Sequence, residues 1–276
     1  MIGPIVLVGC GKMGGALLNG WLDQGVGQPG IYVIEAHGPT ADALRSGPAG
    51  TAQGVEIHDR PERIDTKLSP SAVVFAVKPQ SLADVTGAYR RFAGPDTVFL
   101  SIAAGKRIGF FEQHLGSGAA VVRAMPNTPA AIGRGISVAC ANAHVTEAHK
   151  TQCQELLEAV GEAAWVDDEA LLDPVTAVSG SGPAYVFLLI ECLAAAGVAV
   201  GLEPGLSARL ARATVSGAGE LARRADDTPD VLRQNVTSPG GTTEAALGVL
   251  MAEDGLQSLL TRAVEAATLR SRELAG

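Results

Sequence analysis

The sequence predicts an α/β fold: a doubly wound, mostly parallel sheet in its first part, followed by an all-α domain. Three observations carry this. Short β-rich runs alternate with helical patterns as far as Val166, the reading expected of strands joined by crossover helices. The first run enters a glycine-rich turn, Gly9-Cys10-Gly11-Lys12-Met13-Gly14, which opens a helix. Beyond Val166 the β pattern stops and helix follows helix, broken at Gly and Pro. The domains are therefore expected at 1–166 and 167–276.

The expected strands are 5–8, 31–34, 72–77, 98–102, 120–124, 136–141 and 163–166, with helices such as 12–24 and 147–160 between them. The stretch 47–54, with Pro48 and several glycines, reads as a loop. No internal repeat is visible. With 47% of its 276 residues apolar and 18% charged, the chain buries enough surface to offset its entropy, which excludes disorder. A net charge of -8 argues against a nucleic-acid or anionic-membrane binder, so the expected ligands are small molecules. Cys10, Cys140, Cys153 and Cys192 lack metal or disulfide spacing; they read as free thiols of a cytoplasmic protein, with no metal and no signal peptide.

One segment, 184–202, is apolar almost all round and long enough for a bilayer. Glu191 in its middle, Pro183 at its start and the small residues Ala194, Ala195, Ala196 and Gly197 favour a buried core or dimer helix instead. Split at Val166, the chain holds 13 basic and 14 acidic residues before the boundary and 8 and 15 after it, net charges of -1 and -7. Residues 151–276 contain no Lys and no His, so acid–base chemistry there falls to Arg, Tyr, hydroxyls, carboxylates or backbone.

The turn at 9–14 is a complete GxGxxG between a strand and a helix, the context that a dinucleotide-binding, Rossmann-type domain requires. Its glycines permit a tight turn, close approach to a pyrophosphate and packing of helix on strand. Glu35 ends the second strand 21 residues beyond Gly14. A carboxylate there accepts from ribose hydroxyls and repels a 2'-phosphate, favouring NAD over NADP, with His37 the only cation close behind. Three further strand ends are expected to face the cofactor: Lys78-Pro79-Gln80, Ser101-Ile102-Ala103-Ala104-Gly105, and Met125-Pro126-Asn127-Thr128-Pro129, whose Asn127 is placed at the nicotinamide amide.

Two glycine turns stand out in the helical part, Ser179-Gly180-Ser181-Gly182-Pro183-Ala184-Tyr185 and Ser238-Pro239-Gly240-Gly241-Thr242-Thr243-Glu244. Each could offer helix N-terminal N–H groups to a carboxylate, or simply permit a close helix crossing. Oxidation of a hydroxy acid usually needs a His or Lys, and this half has neither. Reduction of a C=N bond needs only a hydrogen bond at nitrogen, which a threonine hydroxyl supplies.

On these motifs, with Ala76-Val77-Lys78-Pro79-Gln80, the stretch 236–250 and the closing Arg270-Ser271-Arg272-Glu273-Leu274, the chain resembles pyrroline-5-carboxylate reductases over nearly its full length. The resemblance implies hydride transfer from NADPH or NADH to 1-pyrroline-5-carboxylate, giving L-proline in the last step of proline biosynthesis. It implies a cofactor held by Val8, Gly9, Cys10, Gly11, Lys12 and Met13, by Ala76, Val77, Lys78 and Pro79, and by Ile102, Ala103 and Ala104. It assigns to Thr243 a hydrogen bond at the imine nitrogen, and to Ser238 and the backbone of Gly240, Gly241 and Thr242 the substrate carboxylate. It implies interlocked homodimers through the helical domain, and some members assemble five dimers into a decamer. Glu35 stands where several relatives carry Ser or Thr, and Asp59 and Arg60 stand near where some use an Asn at the ribose. The alternatives are a reductase of a related cyclic imine carboxylate, a non-catalytic dinucleotide-binding regulator and a hydroxyacid dehydrogenase.

Overall fold

The structure is a computed structural model that describes residues 3–27 and 30–275. Its strands are β1 (Ile5–Val8), β2 (Ile31–Ile34), β3 (Val55–His58), β4 (Ala72–Phe75), β5 (Val98–Ser101), β6 (Ala120–Met125), β7 (Gly135–Ala141) and β8 (Gly161–Trp165). They form one sheet in the order β3-β2-β1-β4-β5-β6-β7-β8. Strands β1 to β6 run parallel, β7 runs antiparallel to β6, and β8 pairs parallel with β7. The chain winds outward from β1 to β2 and β3, then crosses to β4 and continues the other way. That reversal opens a crevice beyond the carboxyl ends of β1 and β4, where open α/β sheets hold ligands.

Every residue of β1, β4 and β5 is buried, because apolar residues on both faces of a parallel strand are each covered by a helical layer. On one face Ile5, Leu7 and Val74 pack with Leu17, Leu18 and Trp21 of the helix Lys12–Gln24 and with Leu156 and Leu157 of the helix Glu147–Glu158. The Trp21 indole Nε1 donates to the Leu156 carbonyl at 2.8 Å, which satisfies the one polar atom of that buried ring. On the other face Phe75 meets Tyr89 edge-on at 5.5 Å and Phe111 at 5.6 Å.

Seven of the strands lie where the sequence places them, and β3 is additional. Val55-Glu56-Ile57-His58 is a short edge strand with no fully buried residue, so it lacks the apolar run that marks its neighbours. The stretch read as a loop at 47–54 includes a helical turn, Pro48–Thr51, with proline in its first turn. The runs 72–77 and 98–102 leave the ladder after Phe75 and Ser101, so Ala76, Val77 and Ile102 belong to the strand-end loops.

The chain divides into one compact unit that reaches Gly180 and takes up the residues from Thr268 on, and a second unit of Ser181–Ala267. The seam expected at Val166 thus falls inside the first unit. Periodicity detects the last strand, but the helical segment after it still packs on the sheet: Leu172 is fully buried, and buried Asp173 accepts from the Ser271 hydroxyl at 2.6 Å.

The second unit holds the helices Gly182–Ala199, Pro204–Arg224, Pro229–Asn235 and Thr242–Leu250 and the start of Leu256–Ala275. The first two lie against each other, with the Ser207 hydroxyl donating to the Ala194 carbonyl at 2.7 Å. A side chain on Gly197 would strike Ser207, so this glycine serves close packing. Of the two arrangements expected for the apolar helix, core or dimer, burial within this chain is not seen: Phe187 is 58% and Leu188 57% exposed. Within the longer helical stretch Glu169–Ala199, length and hydropathy alone would suffice for a membrane span.

Candidate functional site

A cleft of about 750 Å³ lies beyond the carboxyl ends of β1, β2 and β4. It is lined by Val8, Gly9 and Gly11 from the glycine turn, by Glu35, and by Ala76, Val77 and Lys78. The glycines divide their roles as geometry demands. Gly9 has φ +87°, and a Cβ there would meet Val77 Cγ1 at 2.7 Å. A Cβ on Gly14 would run into the Gly9 carbonyl and meet Ala76 Cβ at 3.1 Å. Gly11 has negative φ, and a Cβ there would meet nothing within 4 Å. Protein packing therefore leaves open the space next to Gly11, and only a ligand in the cleft would need it. As N-cap of the helix Lys12–Gln24, Gly11 offers no side-chain acceptor, so the first-turn amides are open to an anion. These features fit a dinucleotide pyrophosphate.

Glu35 reaches into the turn itself. Its Oε2 accepts from the Cys10 amide at 2.8 Å and its Oε1 from the His37 amide at 2.8 Å. Both oxygens of this cleft-lining carboxylate are thereby held by backbone amides. Cys10 is buried, and burial, followed by the charge of Glu35, pushes its thiol up to about 12. It fills space and does not act as a thiolate. The cleft is also lined by His37, Thr40 and Arg60. His37 Nδ1 lies 2.9 Å from the Thr40 hydroxyl, and Arg60 pairs with Asp59 at 3.3 Å. The segment 81–89, which adds Ser81, Val85 and Tyr89 to the lining, carries no sequence signal beyond following Lys78-Pro79-Gln80.

Lys12, Met13, Pro79, Ile102, Ala103, Ala104 and Asn127 do not line this cleft. Ile102 and Ala103 are buried in the loop after β5. That loop leads to the helix Ile108–Leu115, whose first amide donates to Glu169 Oε1 at 2.8 Å; the same oxygen receives the buried Arg123 of β6 at 3.1 Å. Asn127 accepts from the Ile136 amide at 2.9 Å and donates to the Ser179 carbonyl at 3.2 Å, so its amide braces the loop after β6.

Of the two glycine turns, the first meets the packing alternative at Gly180, where a Cβ would strike Met125 Cε at 2.6 Å. The second is different. Ser238 to Gly241 form a tight turn, with Gly240 at φ +69° and the Gly241 amide donating to the Ser238 carbonyl at 3.0 Å. Glu244 Oε2 accepts from the Gly240 amide at 2.7 Å. Both glycine amides expected to receive a carboxylate are thus engaged within the turn. Gly241 caps the helix Thr242–Leu250 without a side chain, so the amides and hydroxyls of Thr242 and Thr243 have no protein partner among the described residues. These are the donors left for an anion.

A curated pyrroline-5-carboxylate reductase from Pseudomonas aeruginosa is 41% identical over 271 residues, spanning 98% of this chain and 96% of that protein. The chain belongs to the pyrroline-5-carboxylate reductase family. A family model for pyrroline-5-carboxylate reductase dimerisation matches residues 169–274. The structure of a pyrroline-5-carboxylate reductase from Coxiella burnetii superposes with a TM-score of 0.88 at 32% identity, over 99% of this chain and 98% of that one. A Plasmodium falciparum pyrroline carboxylate reductase, solved with NADP bound, matches with a TM-score of 0.76 at 29% identity and the same coverage. In this pyrroline-5-carboxylate reductase family chain, the glycine cleft lies in the first unit and the turn at 238–244 in the second, inside the segment matched by the dimerisation model.

Proposed function

We infer that this chain reduces the C=N bond of 1-pyrroline-5-carboxylate to L-proline, with NADPH or NADH as hydride donor, in proline biosynthesis. The observation that carries the reading is 41% identity to a curated reductase across nearly all of both chains. The bound nicotinamide supplies hydride to the imine carbon, C2 of the substrate ring. The chain's own residues bind and orient. Gly9, Gly11 and the amides of Lys12 and Met13 receive the pyrophosphate, Glu35 the adenosine ribose, and the loops at 76–79, 102–104 and 127 the nicotinamide end. Ser238 and the free amides of Thr242 and Thr243 receive the substrate carboxylate. The ring nitrogen arrives protonated and donates to the Thr243 hydroxyl, which holds the electron-poor imine carbon in place. No lysine or histidine exists in residues 151–276 to do this work.

Glu35 leans the cofactor preference toward NADH, because each of its oxygens keeps a lone pair for a ribose hydroxyl while its charge opposes a 2'-phosphate. We place the protein in the cytoplasm as a homodimer built on the helical unit, the arrangement from which a decamer of five dimers would grow. Thr243→Ala removes one hydrogen bond to a charged group, so we expect kcat to fall about 10- to 100-fold, with little change in cofactor binding. An unchanged kcat would remove Thr243 from the mechanism.

A further inference from the structure

We propose that Glu244 is a specificity-determining residue that selects ligands carrying a positive charge beside their carboxylate. The inference rests on reading 238–243 as the seat of the substrate. That seat is a helix N-terminus whose cap, Gly241, has no side chain, so Thr242 and Thr243 keep open amides that attract any anion. The same turn contains an anion of its own. The Glu244 carboxylate crosses back over the turn to the Gly240 amide, 2.7 Å away, and leaves the threonine donors free. No ion pair joins Glu244 to a cation among the described residues. A negative charge held by one backbone amide and by no ion pair therefore stands within one or two residues of the donors that receive the ligand's carboxylate.

A bare carboxylate entering this seat meets the attraction of the amides and the repulsion of Glu244 together. A cyclic imino acid in its protonated form brings a cation bonded to the same carbon as its carboxylate, and its interaction with Glu244 is favourable. Glu244 thus works partly by rejection, against acids of the right shape and the wrong charge.

The test compares L-proline, which carries the ammonium, with tetrahydrofuran-2-carboxylate, in which a neutral ring oxygen replaces it. Binding of each to the full-length protein is measured by calorimetry at low ionic strength, for the wild type and for Glu244→Gln. The glutamine oxygen can still accept from Gly240, and an unchanged circular dichroism spectrum checks that the turn and helix persist. We expect the preference for proline to fall about three- to fivefold in Glu244→Gln, the size of an exposed charge interaction. Glu244→Ala should lower it by a similar factor. If both acids weaken by one common factor, or neither changes, Glu244 is only a cap and the proposal fails. Because binding is read without turnover, a wild type that binds proline selectively but does not reduce pyrroline-5-carboxylate would overturn the proposed function and leave this inference standing.

Discussion

At the scale of single residues, the glycine turn separates what the fold needs from what a ligand needs. Gly9 and Gly14 cannot carry a side chain without displacing Val77 or the Gly9 carbonyl, whereas Gly11 can. Gly11→Ala should therefore leave the melting temperature nearly unchanged and raise the KM for the dinucleotide about tenfold or more, because its methyl would fill the open space in which the pyrophosphate is proposed to lie. Steady-state kinetics with a parallel thermal melt measure both; a collapsed melt with normal KM would place Gly11 in the packing instead. The turn at 238–244 carries a similar lesson. Its glycines were visible in the sequence as a seat for a carboxylate, but sequence could not show that Glu244 and Ser238 take the Gly240 and Gly241 amides. Such partners are set by the path of the turn through left-handed Gly240, which spacing alone does not reveal.

At the scale of elements, one carboxylate links three pieces of the first unit. Glu169 Oε1 receives both the first amide of the helix Ile108–Leu115 and Arg123 of β6, whose side chain is only 4% exposed. Glu169→Ala would leave a buried guanidinium unpaired, an expected cost of about 3 kcal/mol, read as a lower urea midpoint than that of Glu169→Gln. Equal midpoints for wild type and Glu169→Ala would show that water replaces the carboxylate without loss. The interior strands were legible because their apolar runs are short and continuous, and so was the helix that follows the GxGxxG. The edge strand β3 was not, since Val55-Glu56-Ile57-His58 buries little and follows a glycine-rich stretch that mimics a loop. With β3 unseen, Asp59 and Arg60 at its end, which line the cleft, could be named only by resemblance, and Pro61 beside them was not named.

At the scale of the whole molecule, the second unit presents a run of exposed apolar side chains. Phe187, Leu188 and Leu189 follow one another on a helix and are all exposed, an arrangement that water does not favour. The sequence showed that this helix is apolar on every face; it could not show that its own chain leaves it uncovered. We expect light scattering on dilution to report a dimer or a larger assembly throughout, and a stable monomer would contradict the reading of this surface.

The most direct test of the function is steady-state oxidation of NADH and NADPH, each with DL-pyrroline-5-carboxylate and the purified protein. We expect turnover with L-proline as the product, and a higher kcat/KM for NADH because Glu35 lines the cleft with a charge that would oppose a 2'-phosphate. No turnover with either dinucleotide, by protein that still binds one of them, would contradict the proposed reaction.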